Sequence, residues 1–310
     1  MEKKTAPNKI PSHSLEKFAH ISYCHSMLYK THNNKEKIGR VSYRLIILSV
    51  ILIFTAGFAA SAMADAPSEF DNLPFAPGEK LNFELKWGII RAGKATMEVF
   101  PLATINGEKA FHFVLTVKTT RFIDAFYKVR DRIDSYTDIG LTRTLLYKKN
   151  QREGRTRRNI VVNFDWKKGE ATYTNFKERR APIKLLPGSL DPLSAFYFTR
   201  KFDFSKTPSM NHAITDGKKS VTGKARVVKK ERIRIKKKKV HAWLIEPDLK
   251  HVSGVFKKSK KAKIKIWVSD DHLKIPLKVK SKVSIGSFVG ELISSRGLKP
   301  KPVIKTDKPQ

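Results

Sequence analysis

From Leu81 onward, apolar and polar residues alternate with a period of two, which places one set of side chains on a buried face and the other in solvent. Leu81, Phe83, Leu85 and Trp87 alternate with Asn82, Glu84 and Lys86. Phe111, Phe113, Leu115 and Val117 repeat the pattern, as do Ile160, Val162, Phe164 and Trp166. Gly88–Gly93 turns the first run into Ala95–Phe100, and Asn106-Gly107 tolerates the positive φ of a type I′ hairpin. Lys128–Tyr136, Thr142–Asn150 and Ala171–Phe176 complete a first set of strands, with turns at Glu153-Gly154 and Lys167-Lys168-Gly169. The links are short, so neighbours in sequence are expected to be antiparallel neighbours in space. After a loop, a second set follows at Thr222–Val228, Glu231–Ile235, Val240–Ile245, Lys263–Val268, Leu277–Val283 and Phe288–Ile293.

One stretch, PGSLDPLSAFYFTRKFDF at 187–204, breaks the alternation. Leu193, Phe196 and Tyr197 have the i, i+3, i+4 spacing of one helix face. Asp191 is a good N-cap, and Pro192 stands at the first helical position, where its missing N–H costs nothing. Residues 121–127 (RFIDAFY) are expected to make one or two further helical turns, with Phe122, Ile123 and Phe126 inward. The fold class expected is mainly all-β. It is a strongly curved antiparallel meander, an open or closed barrel of about a dozen strands, with one short central helix (about 190–200) packing on its concave face. No period of 20 to 50 residues recurs, which excludes a solenoid or propeller.

The first 64 residues stand apart. Leu45–Ala60 is uncharged and apolar, follows Arg40 and Arg44, and leads to Ala62-Met63-Ala64, an A-x-A cleavage pattern. This reads as a signal peptide over 1–64, cleaved after Ala64, although the same run also suits an uncleaved anchor. The long stretch before it would shorten to ordinary size with initiation at Met27. Residues 65–298 then form a single barrel-like domain outside the cytoplasm, in the periplasm or outer envelope. The Pro- and Lys-rich tail 299–310 is expected to be disordered. Cys24, the only cysteine, lies in the leader, so the domain has neither a disulfide nor a thiolate metal site and must rest on its core.

The 63 Lys and Arg and 28 Asp and Glu include nine and three in the leader, which leaves residues 65–310 a net +29. Such a charge attracts polyanions. An exported chain meets little nucleic acid, and the lysines are not interleaved with aromatic residues as in a single-strand binder. Anionic lipid, polysaccharide or another envelope protein is the more available partner. Part of the charge is also accounted for as the solvent face of a sheet, where lysine protects edges from aggregation. The clusters Lys236–Lys239 and Lys257–Lys261 flank predicted turns. Lys236, Lys237, Lys238, Lys239, Lys257 and Lys258 are therefore candidates for a positive rim, with Phe196 and Tyr197 below it, around the mouth of an apolar interior.

Catalytic signals are sparse. Asp270, Asp271 and His272 in the run SDDH could bind a metal or serve as acid and base, but they fall between two strands, where turn-forming residues are expected anyway. Arg130, Asp131, Arg132 and Asp134 read as cross-strand ion pairs rather than a calcium loop, because a central Gly and a terminal Glu are missing. His112 and His241 stand singly in strands. There is no nucleophile elbow, Walker A loop, dinucleotide fingerprint or HExxH, and no cofactor is indicated.

Four segments in order carry a resemblance: FAPGEKLNFELKWGIIRAGKATMEV, YKVRDRIDSYTD, DPLSAFYFTR and IWVSDDHLKIPLKVKSKVSIGSFVGEL. Together they resemble the bacterial domain-of-unknown-function 3108 family over roughly residues 75–295. The resemblance implies an exported β-rich envelope domain and no particular reaction. The expectation is a non-enzymatic protein that binds an amphiphilic or polyanionic envelope component or assists its assembly. A periplasmic interaction scaffold and a hydrolase built on Asp270, Asp271 and His272 are the alternatives.

Overall fold

The computed structural model describes residues 72–248, 263–283 and 286–300. Residues 1–64, expected to be a leader, Lys257, Lys258 and the tail beyond 300 lie outside the described residues. Fifteen strands join one antiparallel sheet. In chain order they are β1 Lys80–Trp87, β2 Ile90–Ile105, β3 Glu108–Thr119, β4 Arg130–Asp138, β5 Thr144–Glu153, β6 Thr156–Asp165, β7 Glu170–Asn175, β8 Glu178–Arg179, β9 Ile183–Lys184, β10 Ser209–Thr215, β11 Ser220–Ile235, β12 Lys238–Pro247, β13 Lys263–Ser269, β14 Pro276–Val283 and β15 Gly286–Arg296. Among the described residues two helices, α1 Arg121–Asp124 and α2 Pro192–Thr199, interrupt them.

The meander holds, and the ends of the domain zip together: β1 pairs with β15 from Lys80–Arg296 to Trp87–Phe288. The sheet therefore runs β10 through β15, then β1 through β8, and its break lies between β10 and the β7–β9 region. That is where the chain leaves the sheet to form α2. The gap is partly bridged. The Leu190 N–H donates to the Ala213 carbonyl at 2.9 Å and its own carbonyl accepts from Thr215 at 2.9 Å, while the Thr144 N–H donates to Ser189 at 3.2 Å. One extended segment thus touches both β10 and the start of β5.

The period-two face is buried as expected, except at Trp87 at the end of β1, which is 44% exposed. Leu81, Phe83, Ala95, Met97, Val99, Phe111 and Phe113 join Leu193 and Tyr197 of α2 in the main core. A second cluster, built on Ile160, Val162, Phe164 and Tyr173, lies under β5–β7. A third, of Phe204, Met210, Ile245 and Val268, lies under β10–β13. Asn106 and Gly107 both take positive φ (51° and 86°) in the β2–β3 hairpin.

Three expectations need correction. The stretch taken as loop after α2 contains β10, whose SMNHAIT alternates too weakly to be recognised. Thr222–Val228 and Glu231–Ile235 form one 16-residue strand, because the irregularity between Val227 and Lys229 is a bulge rather than a turn. Phe122 in α1 and Phe126 just after it are 63% and 77% exposed, not inward. The helix is a single four-residue turn capped by Thr120 at the ends of β2 and β3, so it has no sheet face to cover.

Candidate functional site

Helix α2 is positioned from both ends. At its start the buried Asp191 carboxylate accepts five hydrogen bonds. Oδ1 takes the N–H groups of Leu193 (2.9 Å) and Ser194 (3.2 Å), and Oδ2 takes the hydroxyls of Ser135 (2.6 Å), Thr144 (2.8 Å) and Ser194 (2.6 Å). The charge is therefore met by the helix N-terminus and a ring of hydroxyls from β4 and β5. At the other end Arg200, 1% exposed, makes a bidentate pair with the fully buried Glu79 at 2.6 and 2.9 Å. Its remaining N–H groups reach the carbonyls of Leu273 and Pro74, and its guanidinium lies 5.1 Å from the centre of the Phe75 ring. Sequence reasoning missed this pair entirely.

The two faces of α2 do different things. Leu193 and Tyr197 enter the main core, where the Tyr197 ring stacks on Phe113 at 4.0 Å and meets Phe75 edge-on at 5.1 Å. Phe196, Phe198 and, just past the helix, Phe202 turn toward β10–β13 and line a cavity of about 490 Å³. Its opposite wall is apolar: Met210, Ile214, Val221, Ala225, Ile245 and Val268. Lys219 and Lys224 stand there together with Asp216 and Asp248.

One polar group inside is unusual. His212 borders the cavity, and its Nε2 is buried without a hydrogen-bond partner. Burial lowers the imidazole pKa below its ordinary value, and the ring's hydrogen bond to the Gly188 backbone offsets this only in part. With its N–H directed at Gly188, the neutral ring leaves Nε2 as a buried acceptor without a partner beside the cavity.

The residues singled out in the sequence are dispersed. Phe196 lines the cavity, and Tyr197 is enclosed in the core. Lys236, Lys237, Lys238 and Lys239 are exposed at the β11–β12 turn, where the Lys236 N–H donates to Glu291 at 3.1 Å. They do not rim the cavity mouth. Because β11 is one continuous strand, the turn stands roughly 35–40 Å along it from the cavity wall. Residues 219–225 at that wall, with Phe198, Phe202 and His212, are what the sequence did not reveal. Phe198 and Phe202 do have the i, i+4 spacing of a second helix face, which was the available signal.

Ser269–Lys274 is a turn. Asp271 Oδ1 accepts from the Ser269 hydroxyl at 2.7 Å and from the Leu273 and Lys274 N–H groups at 3.0 Å. Asp270 accepts from Trp243 Nε1 at 2.7 Å and pairs with Lys230 at 2.5 Å. Both carboxylates are thus committed to local structure. Among the described residues, no group of three or more His, Cys, Asp or Glu could hold a metal ion. Asp134 pairs with His112 across the strands at 2.8 Å and with Arg132 on its own strand, whereas Asp131 faces Glu153, so the predicted cross-strand pairing is partial.

No curated protein matches the chain. Among solved structures, a β-barrel-like protein of the DUF1849 family from Brucella abortus is similar at 11% identity, covering 70% of this chain and 96% of its own, with a TM-score of 0.46. A candidate lipoprotein from Parabacteroides distasonis aligns at 10% identity over 73% and 98% of the two chains, with a TM-score of 0.30. The sequence profile of the protein of unknown function DUF3108 matches residues 82–293, from the middle of β1 to β15, and the chain belongs to that family.

Proposed function

We propose that the protein is an exported, non-enzymatic binding protein of the cell envelope that holds a largely apolar molecule bearing one hydrogen-bond donor in the cavity between α2 and β10–β13. The observation that carries this reading is an apolar cavity of about 490 Å³ bordered by His212, whose buried Nε2 has no hydrogen-bond partner. That volume falls within the roughly 300–1,000 Å³ of small-molecule sites, and one convergent polar group in an apolar wall is how such sites orient a ligand. The apolar run and A-x-A pattern before Asp65 support the envelope assignment.

Retinol, a long apolar molecule with one hydroxyl, is a suitable fluorescent probe, and its methyl ether lacks the donor. Retinol should bind saturably, and Ala225→Trp, which fills the cavity, should weaken it roughly tenfold or more while circular dichroism is unchanged. His212→Phe should weaken retinol by about two- to tenfold, the range of one hydrogen bond, and leave the ether unaffected. Because burial lowers the His212 pKa, the preference for retinol should persist somewhat below pH 6.5 and vanish once the ring is protonated and Nε2 becomes a donor. Retinol binding that ignores Ala225→Trp, or no saturable binding at all, would sink the cavity reading.

A further inference from the structure

Among the described residues, seven of the ten exposed large apolar side chains sit along one end of the sheet, at consecutive connections from β14–β15 to β5–β6. At the β1–β2 turn, Ile89 is 98% exposed, Trp87 and Ile90 about two-fifths, and Trp87 stacks on Phe288 of β15 at 6.3 Å. Helix α1 stands beside this turn: the Thr120 N–H donates to the Ala92 carbonyl at 3.0 Å, and the Thr120 hydroxyl donates to the Arg91 carbonyl at 3.3 Å. From α1 and the residues that follow it project Phe122 and Phe126, packed edge-on at 5.6 Å, and Tyr127, which covers Gly154 of the β5–β6 turn. Phe122 and Phe126 are residues that the helical reading of 121–127 placed inward.

The side chains between them are predominantly cationic. Lys282 flanks Phe288; Arg121 and Lys128 bracket α1; Arg155 stands beside Gly154; all four are exposed. Two carboxylates of the same edge are paired, Glu84 with Lys86 and Arg91 and Asp124 with Arg130, while Asp131 and Glu153 face each other. Ile89 stands on a turn tip, Trp87, Ile90 and Phe288 at the strand ends beside it, and Phe122, Phe126 and Tyr127 on the connection between β3 and β4. Aromatic rings ringed by cations on protruding turns match the membrane interface, where Trp, Tyr and Phe settle at headgroup depth and Lys and Arg meet anionic lipid.

We propose that this edge docks the protein onto an anionic lipid bilayer, with Trp87, Ile89, Phe122 and Phe126 inserted at headgroup level and the flanking cations on the lipid phosphates. The inference is independent of the cavity, and its test does not involve retinol.

Full-length protein is mixed with phosphatidylglycerol/phosphatidylcholine vesicles whose acyl chains are brominated, and tryptophan fluorescence is read. Quenching reports a ring inside the bilayer whatever else holds the chain on the vesicle. The wild type should be quenched and Trp87→Phe should lose that quenching, although Trp166, Trp243 and Trp267 remain. In sedimentation with the same lipids, Ile89→Asp/Phe126→Asp should weaken binding roughly tenfold. Pure phosphatidylcholine or high salt should also weaken it, since the cationic contacts are screened. The quadruple change of Lys236, Lys237, Lys238 and Lys239 to Gln, away from this edge, should change the quenching little. Quenching that survives Trp87→Phe, or is absent in the wild type, overturns the proposal. So does vesicle binding unaffected by Ile89→Asp/Phe126→Asp, which would assign the edge to a protein partner.

Discussion

Asp131 is a carboxyl in an unfavourable place within a strongly basic chain. It is half-buried beside Glu153, and desolvation together with that second carboxyl raises its pKa from 3.8 to about 6, against the opposing pull of the Arg152 N–H at 2.8 Å. Between pH 4 and 6 the folded protein therefore holds a proton that the unfolded chain has released, so this group's contribution to stability falls as pH rises through that window and is unfavourable throughout above it. A two-unit shift corresponds to about 3 kcal/mol, which solvent screening at a half-exposed site reduces to roughly 1 kcal/mol. Asp131→Asn keeps an acceptor for Arg152 and removes the charge. It should stabilise the protein by about 1 kcal/mol at pH 7.5 and by nothing at pH 4, as measured by urea unfolding at the two pH values. An equal gain at both would show that charge is not the cause.

At the scale of an element, α2 shows how differently local and distant information enter a sequence. Eight residues make a marginal helix by themselves, so packing and its two ends must hold it. The start was legible because Asp191-Pro192 and the Leu193–Tyr197 spacing lie within one turn of each other. The finish was not. Arg200 finds Glu79 across 121 positions, and one arginine among 63 cations carries no mark of its partner. The same limit explains α1, whose Phe122 and Phe126 have an inward spacing but no surface to pack on, and the cavity, whose walls come from α2 and four strands. Arg200→Met should cost about 3–5 kcal/mol in chemical denaturation, because Glu79 is left buried and uncompensated. The double change Arg200→Met/Glu79→Leu should recover a large part of that. If the single change proves as mild as a surface substitution, the pair does not hold α2 against the domain.

Across the whole molecule the alternation specified an antiparallel meander because each hairpin is local, but where the barrel breaks depends on contacts between distant strands. The first and last strands pair, and the break falls beside α2, between β10 and the β7–β9 region. Side chains span it. Gly217, in the β10–β11 turn with φ of +81°, lies so close to β6 that an added Cβ would stand 2.5 Å from Val162 Cγ2, and Lys218 Nζ lies 4.9 Å from the centre of the Tyr173 ring. The turn is thus pressed against the second core cluster, and this closeness helps keep the cavity wall of β10 and β11 in place. Gly217→Ala combines a strained φ with a steric clash and should destabilise by about 2 kcal/mol. Val162→Ala removes both clashing methyl groups at its own cost in the core, so Gly217→Ala should be less damaging in that background, a coupling read by a double-mutant cycle. Hydrogen exchange in Gly217→Ala should accelerate in β10 and β11 while β1–β4 stay protected, because the seam opens before the main core does. Uniform acceleration across all strands would mean that the two sides of the seam unfold as one unit.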